Sequence, residues 1–300
     1  MTGAAATSGR TLPAGVSAGG RFTDWGGQPV DYVVCDVDGT LIGPAELASD
    51  EVAVAIGQAQ TAGLRVGYAT GRMRDAVAAL HRQLDARGPH ILHNGAEVRA
   101  DGRTIAGWSL TPDEVDLLLG VAAERDDLYL EVYATSGFLV SAWDERARPH
   151  WDLLGAEPSG VLSGGDELDD PVVPKATFTT FTDDALRWLV GRLAELPLEV
   201  GRAGSPLTPH LTFVNVSRPG ATKGAALQVA ADHLGLPLAR VAAIGDASND
   251  RSMLQAAGTA IAMGQAPDEI RQTAHLVVPD VDAHGVATAL HALVSWRGAG

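Results

Sequence analysis

The sequence has little of several features that mark particular classes of protein. It contains one cysteine, Cys35, so it can form no intrachain disulfide and offers no paired-cysteine metal site. Positive charge is scarce: 22 Lys and Arg stand against 37 Asp and Glu, a formal net charge of −15. Since phosphate backbones are bound by clustered Lys and Arg, we expect no nucleic-acid partner. No apolar run is long enough to span a bilayer and the start lacks the apolar core of a secretory signal, so we expect a cytoplasmic protein without a membrane partner.

What the sequence does contain is typical of a folded protein. Of its 300 residues, 46% are hydrophobic and 20% are charged, and this length favours about two domains. Residues 1–28 are rich in Gly, Ala, Ser and Thr, whose small side chains bury little surface. We therefore expect a flexible N-terminal tail there.

After this tail the pattern alternates between short apolar runs and segments with helical spacing. The runs at 32–36, 64–69 and 90–93 are typical of buried parallel strands, and helical patterns separate them. The same alternation resumes with strands predicted at 210–216 and 240–245. It predicts an α/β fold, with a Rossmann-like, doubly wound parallel sheet.

Between these two stretches the pattern changes to hairpins. Asp101 and Gly102 form a two-residue turn signal between two strand-like runs, and two helices with further strands follow. We therefore predict a discontinuous core domain formed by residues 29–94 and 205–300, with an inserted α+β cap domain at 95–204. Because this insert joins the core between Asn94 and the strand predicted at 210–216, with both ends expected near the strand ends that carry the polar motifs, we expect it to act as a lid that admits only small substrates.

Two polar motifs follow strands in the first part of the core. DVDGT places Asp36 and Asp38 two residues apart at a strand end, where paired carboxylates can bind Mg²⁺, although an Asx turn would use the same residues. TGR places the hydroxyl of Thr70 ahead of a predicted helix, which suits an oxyanion, although an N-cap threonine is the alternative.

Two further motifs lie in the second part of the core. Lys223 stands at the start of a predicted helix, where the helix dipole disfavours a cation, so anion binding is the alternative to a solvated lysine. GDASND places Asp246 and Asp250 four residues apart, where they can share a face, and an N-capping loop is the alternative. All four motifs follow strands of one α/β domain, and ligands bind at the carboxyl ends of such strands.

Taken in chain order, DxDGT, TGR, Lys and GDxxND resemble the motifs of the haloacid-dehalogenase-like superfamily of phosphotransferases. The placement of the insert is similar to that in its Cof-type (subfamily IIB) phosphatases, which carry a large α+β cap. The resemblance covers residues from about 31 to 296. It implies a Mg²⁺-dependent phosphatase that hydrolyses a small phosphorylated metabolite, a sugar or polyol phosphate, through an aspartyl-phosphate.

The resemblance also implies a role for each site residue. Asp36 is the expected nucleophile, and Asp38 is the expected general acid and base. The metal is expected to be bound by Asp36, the backbone carbonyl of Asp38 and Asp246, with support from Asp250. The phosphoryl group and substrate are expected to contact Thr70, Gly71, Arg72, Asn94, Lys223 and Asn249.

Two alternatives use the same fold. A phosphomutase of the superfamily would return the phosphoryl group to a sugar hydroxyl, so release of free phosphate distinguishes the phosphatase from it. A non-catalytic ligand-binding protein would be expected to lack Asp36, Asp38 or Asp246, and all three are present.

Overall fold

A nine-stranded sheet and a five-stranded sheet organise the two units into which the chain divides. The computed structural model describes residues 12–134, 137–168, 172–203 and 211–297. Within these residues, the core unit comprises 12–72, 77–106 and 222–297, and the insert unit comprises 73–76 and the described residues of 107–221.

Fourteen strands and nine α-helices lie in the described part of the chain. The strands are β1 (Ser17–Ala18), β2 (Tyr32–Asp36), β3 (Arg65–Ala69), β4 (His90–Leu92), β5 (Glu97–Ala100), β6 (Arg103–Gly107), β7 (Leu128–Ala134), β8 (Gly137–Val140), β9 (Lys175–Thr180), β10 (Glu199–Ala203), β11 (Thr212–Ser217), β12 (Val241–Gly245), β13 (Thr259–Ala262) and β14 (Leu276–Val277). The helices are α1 (Asp50–Thr61), α2 (Ala78–Leu84), α3 (Pro112–Ala123), α4 (Arg148–Leu154), α5 (Asp183–Leu193), α6 (Lys223–His233), α7 (Arg251–Ala256), α8 (Asp268–Arg271) and α9 (Gly285–Arg297).

The larger sheet has the strand order β1-β14-β13-β12-β2-β3-β4-β5-β6. Its six inner strands from β14 to β4 run parallel to one another, whereas β1 and β5 pair antiparallel with β14 and β4. Strands β2 and β12 lie side by side near the centre and are buried at every position, as expected where helices cover both faces of a parallel sheet. The predicted α/β fold with a parallel central sheet is confirmed.

The N-terminal segment differs from the flexible tail that its composition predicts. Residues 1–11 lie outside the described residues, but β1 pairs with β14, and the side chain of Trp25 is 5% exposed. The Trp25 ring lies 5.1 Å from that of Trp296, and its Nε1 donates to Thr259 Oγ1 at 3.1 Å. One large aromatic side chain thus supplies the burial that the small residues around it lack.

The boundaries of the insert also differ from those expected. The hairpin of β5 and β6, expected in the cap, extends the core sheet from β4. The strand expected at 210–216 is β11, and it pairs with β9 and β10 in the smaller sheet instead of continuing the core. An apolar strand does not reveal which sheet it joins, because its period is the same in both.

The insert unit contains the smaller sheet, which is antiparallel with the order β10-β11-β9-β7-β8. Alternate residues of β7, β9 and β11, among them Leu130, Phe178 and Val216, pack with residues of α3 and α5 in one hydrophobic cluster. This period of two leaves the intervening residues on the opposite face. Among the described residues, no helix is both long and apolar enough to cross a membrane.

Candidate active site

Three neighbouring parallel strands of the core unit end in the polar motifs. Asp36 is the last residue of β2, Thr70 follows β3 directly, and Asp246 follows β12 directly. Since these strands are adjacent and parallel, their carboxyl ends meet at one edge of the sheet. The topology therefore brings the three motifs together.

Lys223 contacts both the DVDGT motif and the GDASND motif. Its Nζ donates to Asp36 Oδ1 at 2.5 Å and to Asp250 Oδ1 at 2.6 Å, and its side chain is fully buried. Burial lowers the pKa of Lys223, but Asp36 and Asp250 outweigh that effect and raise it above its ordinary value. The structure thus excludes the solvated lysine considered from the sequence.

The N-terminus of α6 fixes the backbone of Lys223. The N-cap residue Thr222 accepts a hydrogen bond from the amide of Ala225 at 3.1 Å, and the amide of Gly224 donates to Ser252 Oγ at 3.0 Å. The helix dipole disfavours a cation at this end. The two carboxylates that receive the ammonium group of Lys223 compensate for that position.

Asp250 organises the loop that follows β12. Its Oδ2 accepts hydrogen bonds from the amides of Asp246 and Ala247, both at 3.0 Å, while Oδ1 receives Lys223. Gly245 is required beside it, because a Cβ at that position would lie 2.7 Å from the Asp250 side chain. The capping loop considered from the sequence is therefore real, and the same carboxylate also pairs with the buried lysine.

The carboxylates of this edge suit a hard divalent cation. Oxygen atoms of Asp36, Asp246 and Asp250 all lie within 4.8 Å of one another. Burial raises the pKa of Asp36 to about 8, with Lys223 opposing and Asp250 adding to the shift, and burial together with Asp250 also raises the pKa of Asp246. Crowded, buried carboxylates are stabilised in their charged form by a nearby cation, and oxygen ligands are those that Mg²⁺ prefers. The donor set fits Mg²⁺.

The individual carboxylates differ in how far their oxygens are already engaged. Asp250 accepts three hydrogen bonds, from Lys223 and two backbone amides, so it is suited to support the others. Asp246 accepts a hydrogen bond from Thr40 Oγ1 at 3.1 Å, and the Gln265 side chain contacts it as well. Asp36 and Asp246 are therefore the side chains best suited to supply metal ligands.

Thr70 forms a tight turn after β3. Its side chain is fully buried, and its Oγ1 accepts a hydrogen bond from the amide of Arg72 at 3.0 Å. The helix expected to follow this motif, α2, begins only at Ala78, eight residues after Thr70. The groups that could face an oxyanion here are the hydroxyl and turn amides, and the N-cap alternative for Thr70 is wrong.

The remaining predicted substrate residues fall into two groups. Asn249 Nδ2 donates to Asn94 Oδ1 at 3.0 Å, and a Cβ on Gly71 would lie 3.0 Å from the Asn94 side chain, so these three lie together. Arg72 instead directs its guanidinium to the carboxylate of Asp38. Gly71, Asn94 and Asn249 thus form one cluster and Arg72 belongs to another.

Two residues of this edge received no role from the sequence. Thr40 donates to Asp246, as described above. Gln265 follows β13, and its Nε2 donates to the carbonyl of Gly39 at 2.5 Å while its Oε1 accepts from the amide of Val281. The signal that could have found Gln265 is the one used for the motifs, a polar residue just beyond a core strand.

The insert unit carries a buried polar cluster of its own. Glu131 accepts hydrogen bonds from Tyr133 Oη at 2.6 Å and contacts Nδ1 of His150 at 3.0 Å. The ammonium of Lys175 lies 4.3 Å from the centre of the Tyr133 ring, and burial lowers its pKa to about 8, with Glu131 opposing. Trp151, in the same unit, is buried.

Comparison with known proteins places this chain in a family. Residues 33–290 match the family model of haloacid dehalogenase-like hydrolases. The chain is 32% identical over 258 residues to an HMP-PP phosphatase of Enterobacter sp. (strain 638), covering 81% of this chain and 88% of that protein. It is 28% identical over 294 residues to the 5-amino-6-(5-phospho-D-ribitylamino)uracil phosphatase YwtE of Bacillus subtilis (strain 168), covering 88% and 98%.

A solved structure shows the same fold. The phosphatase BT1666 of Bacteroides thetaiotaomicron, of the HAD enzyme superfamily, superposes with a TM-score of 0.75 at 23% identity, covering 89% of this chain and 96% of that one. The chain belongs to the haloacid dehalogenase-like hydrolase family. The predicted family, fold class and enzyme class, a phosphatase of this superfamily, are confirmed.

Proposed function

We propose that this protein is a Mg²⁺-dependent phosphatase that hydrolyses a small phosphorylated metabolite, a sugar or polyol phosphate, through an aspartyl-phosphate on Asp36. The observation that carries the proposal is the buried group of Asp36, Lys223 and Asp250, with Asp246 beside it at the carboxyl edge of the sheet. A buried nucleophilic carboxylate, a fixed cation and a metal-binding pair are the parts that phosphoryl transfer requires.

In the first step an oxygen of Asp36 forms a bond to phosphorus while the bond from phosphorus to the leaving oxygen breaks. Asp38 gives its proton to that leaving oxygen, and the alcohol departs. In the second step Asp38 takes a proton from water, the hydroxyl oxygen attacks phosphorus, and the bond to Asp36 breaks to release phosphate. The protons balance, since Asp38 ends as it began.

The other residues of the site orient Asp36 and bind the negatively charged phosphoryl group. Lys223 keeps Asp36 in place and faces the phosphoryl oxygens, and Thr70, the Gly71 amide and Asn249 donate to those oxygens. Asp36, the Asp38 backbone carbonyl and Asp246 would hold Mg²⁺, which would neutralise charge on the phosphoryl group.

The names of two relatives support a small substrate. One is called an HMP-PP phosphatase, and the other acts on a phosphate carried by a ribityl chain, which is a polyol phosphate. The insert would then select the part of the substrate beyond the phosphate.

Release of inorganic phosphate tests the proposal. The purified chain is assayed against a panel of sugar, polyol and nucleotide phosphates, phosphopeptides and a folded phosphoprotein, with Mg²⁺ and with EDTA. We expect Mg²⁺-dependent release, with the highest kcat/KM for a sugar or polyol phosphate, and loss of release in Asp36→Asn. Asp113→Asn, an exposed carboxylate of α3, is the matched control. A preference for phosphoprotein, or equal rates in Asp36→Asn and wild type, would contradict the proposal.

A further inference from the structure

Arg72 and Asp38 form a bidentate ion pair in the core unit. Arg72 Nε donates to Asp38 Oδ2 at 3.0 Å, and Arg72 Nη2 donates to Asp38 Oδ1 at 2.5 Å. The planar guanidinium matches the two oxygens of a carboxylate in this arrangement, which fixes direction as well as distance. Within the described residues, these are the only hydrogen bonds of the Asp38 side chain.

Both partners are held through their backbones. In the loop after β2, the amide of Gly39 donates to the carbonyl of Ile42 at 2.8 Å, and Asp38 forms an isolated bridge with Ile42. In the turn after β3, the amide of Arg72 donates to Thr70 Oγ1. The Asp38 side chain is 55% exposed, so its backbone is fixed while its carboxyl group depends on Arg72 for orientation.

We propose that Arg72 is a positioning residue, which holds the carboxyl group of Asp38 in the orientation that proton transfer to and from the reacting oxygens requires. This inference rests on the proposed function. Arg72 directs the Nε and Nη2 edge of its guanidinium to Asp38, so the contact that the structure shows for this side chain is with the expected acid and base. Each Asp38 oxygen keeps a second lone pair for the transferred proton.

The proposal predicts a loss that depends on the leaving group. Proton donation matters for an alkyl phosphate, whose alkoxide is a poor leaving group, and much less for p-nitrophenyl phosphate. We expect Arg72→Ala to lower kcat on the alkyl phosphate about 10–100-fold more than on the aryl phosphate, which is part of the 10²–10⁴-fold of general acid–base catalysis. The KM for both should stay within about threefold of wild type, since uniform binding is not lost. Arg72→Lys, which keeps the charge without the fork, should fall between Arg72→Ala and wild type.

A double-mutant cycle with Asp38→Ala separates positioning from direct substrate binding. If Arg72 acts through Asp38, Arg72→Ala causes no further loss of kcat in the Asp38→Ala background. The matched control is Arg87→Ala, which removes an exposed arginine paired with Asp85 elsewhere in the core unit, and it should leave the ratio of the two substrates unchanged.

Two results would overturn the inference. One is an equal fall in kcat on both substrates, and the other is a common rise in KM that persists in the Asp38→Ala background, which would show that Arg72 binds the phosphate. Unfolding curves show whether each variant is folded. If Arg72→Ala is not folded, the ratio of kcat on the two substrates is measured for Arg72→Lys instead. A wild-type protein that releases no phosphate from any substrate defeats the proposed function, whereas the results above leave that function intact.

Discussion

The ammonium group of Lys223 lies between the carboxylates of Asp36 and Asp250, at 2.5 and 2.6 Å. One buried cation thus links the end of β2, the start of α6 and the loop after β12. Because a buried charge is stable only when it is paired, removal of Lys223 leaves two buried carboxylates without their cation. This relationship makes the same three residues responsible for local stability and for the proposed chemistry.

Replacing the lysine tests this double role. Lys223→Met should abolish phosphate release and lower the free energy of unfolding by about 3–5 kcal/mol, because two buried carboxylates lose their cation. Denaturant unfolding followed by circular dichroism measures the change. Adding Asp36→Asn to Lys223→Met removes one of those carboxylates and should recover part of the lost stability. A Lys223→Met protein as stable as wild type would show that the ion pairs contribute nothing to folding.

Asp38 should contribute to rate and little to stability, because its side chain is 55% exposed. Asp38→Asn should lower kcat on an alkyl phosphate by about 10²–10⁴-fold, since an amide can neither donate the proton to the leaving oxygen nor accept one from water. Steady-state kinetics with an alkyl phosphate measures this. A near-wild-type rate on that substrate would remove Asp38 from the role of acid and base.

Removing the metal tests the carboxylate cluster. EDTA treatment should abolish activity, Mg²⁺ should restore it, and Ca²⁺ should restore it poorly because it favours longer bonds and six to eight ligands. Asp246→Asn should raise the Mg²⁺ concentration needed for half-maximal activity. Its control is Asp232→Asn, an exposed carboxylate of α6. Full activity in EDTA, or an unchanged Mg²⁺ requirement in Asp246→Asn, would contradict the metal site.

The N-terminal segment should stabilise the core unit through Trp25. Trp25→Ala should lower the free energy of unfolding by about 3–5 kcal/mol, as for other buried aromatic residues. Trp25→Phe should cost less, since it keeps a ring against Trp296 and loses the hydrogen bond to Thr259. Denaturant unfolding of wild type, Trp25→Phe and Trp25→Ala measures whether their free energies of unfolding decrease in that order. Equal stability of wild type and Trp25→Ala would indicate that the N-terminal segment contributes nothing to the fold, as expected of the flexible tail predicted from composition.

The sequence was sufficient to predict the α/β core and the strand ends that carry the site. The buried run at 32–36 and the polar residues that end it predict a ligand edge, because both signals are local. The assignment of the strand at 210–216 to the core was wrong, since membership of a sheet is decided by pairing with distant residues.

Contacts between distant side chains were also beyond prediction. Arg72 was expected to face the substrate, and only the fold reveals that Asp38, 34 residues away, receives its guanidinium. Gln265 likewise contacts Gly39 across 226 residues. The burial of Trp25 depends on Trp296, which no local pattern connects to it.

Asp36 is expected to become phosphorylated during turnover. To detect the phosphorylated residue, the enzyme is mixed with its best substrate and Mg²⁺, quenched with acid within milliseconds, and digested so that mass spectrometry locates phosphate on its peptides. Asp36 is predicted to carry the phosphoryl group in wild type, and the peptide that contains it should be unmodified in Asp36→Asn. An unmodified Asp36 during rapid turnover, together with sustained phosphate release by Asp36→Asn, would show that the reaction does not pass through an aspartyl-phosphate on Asp36.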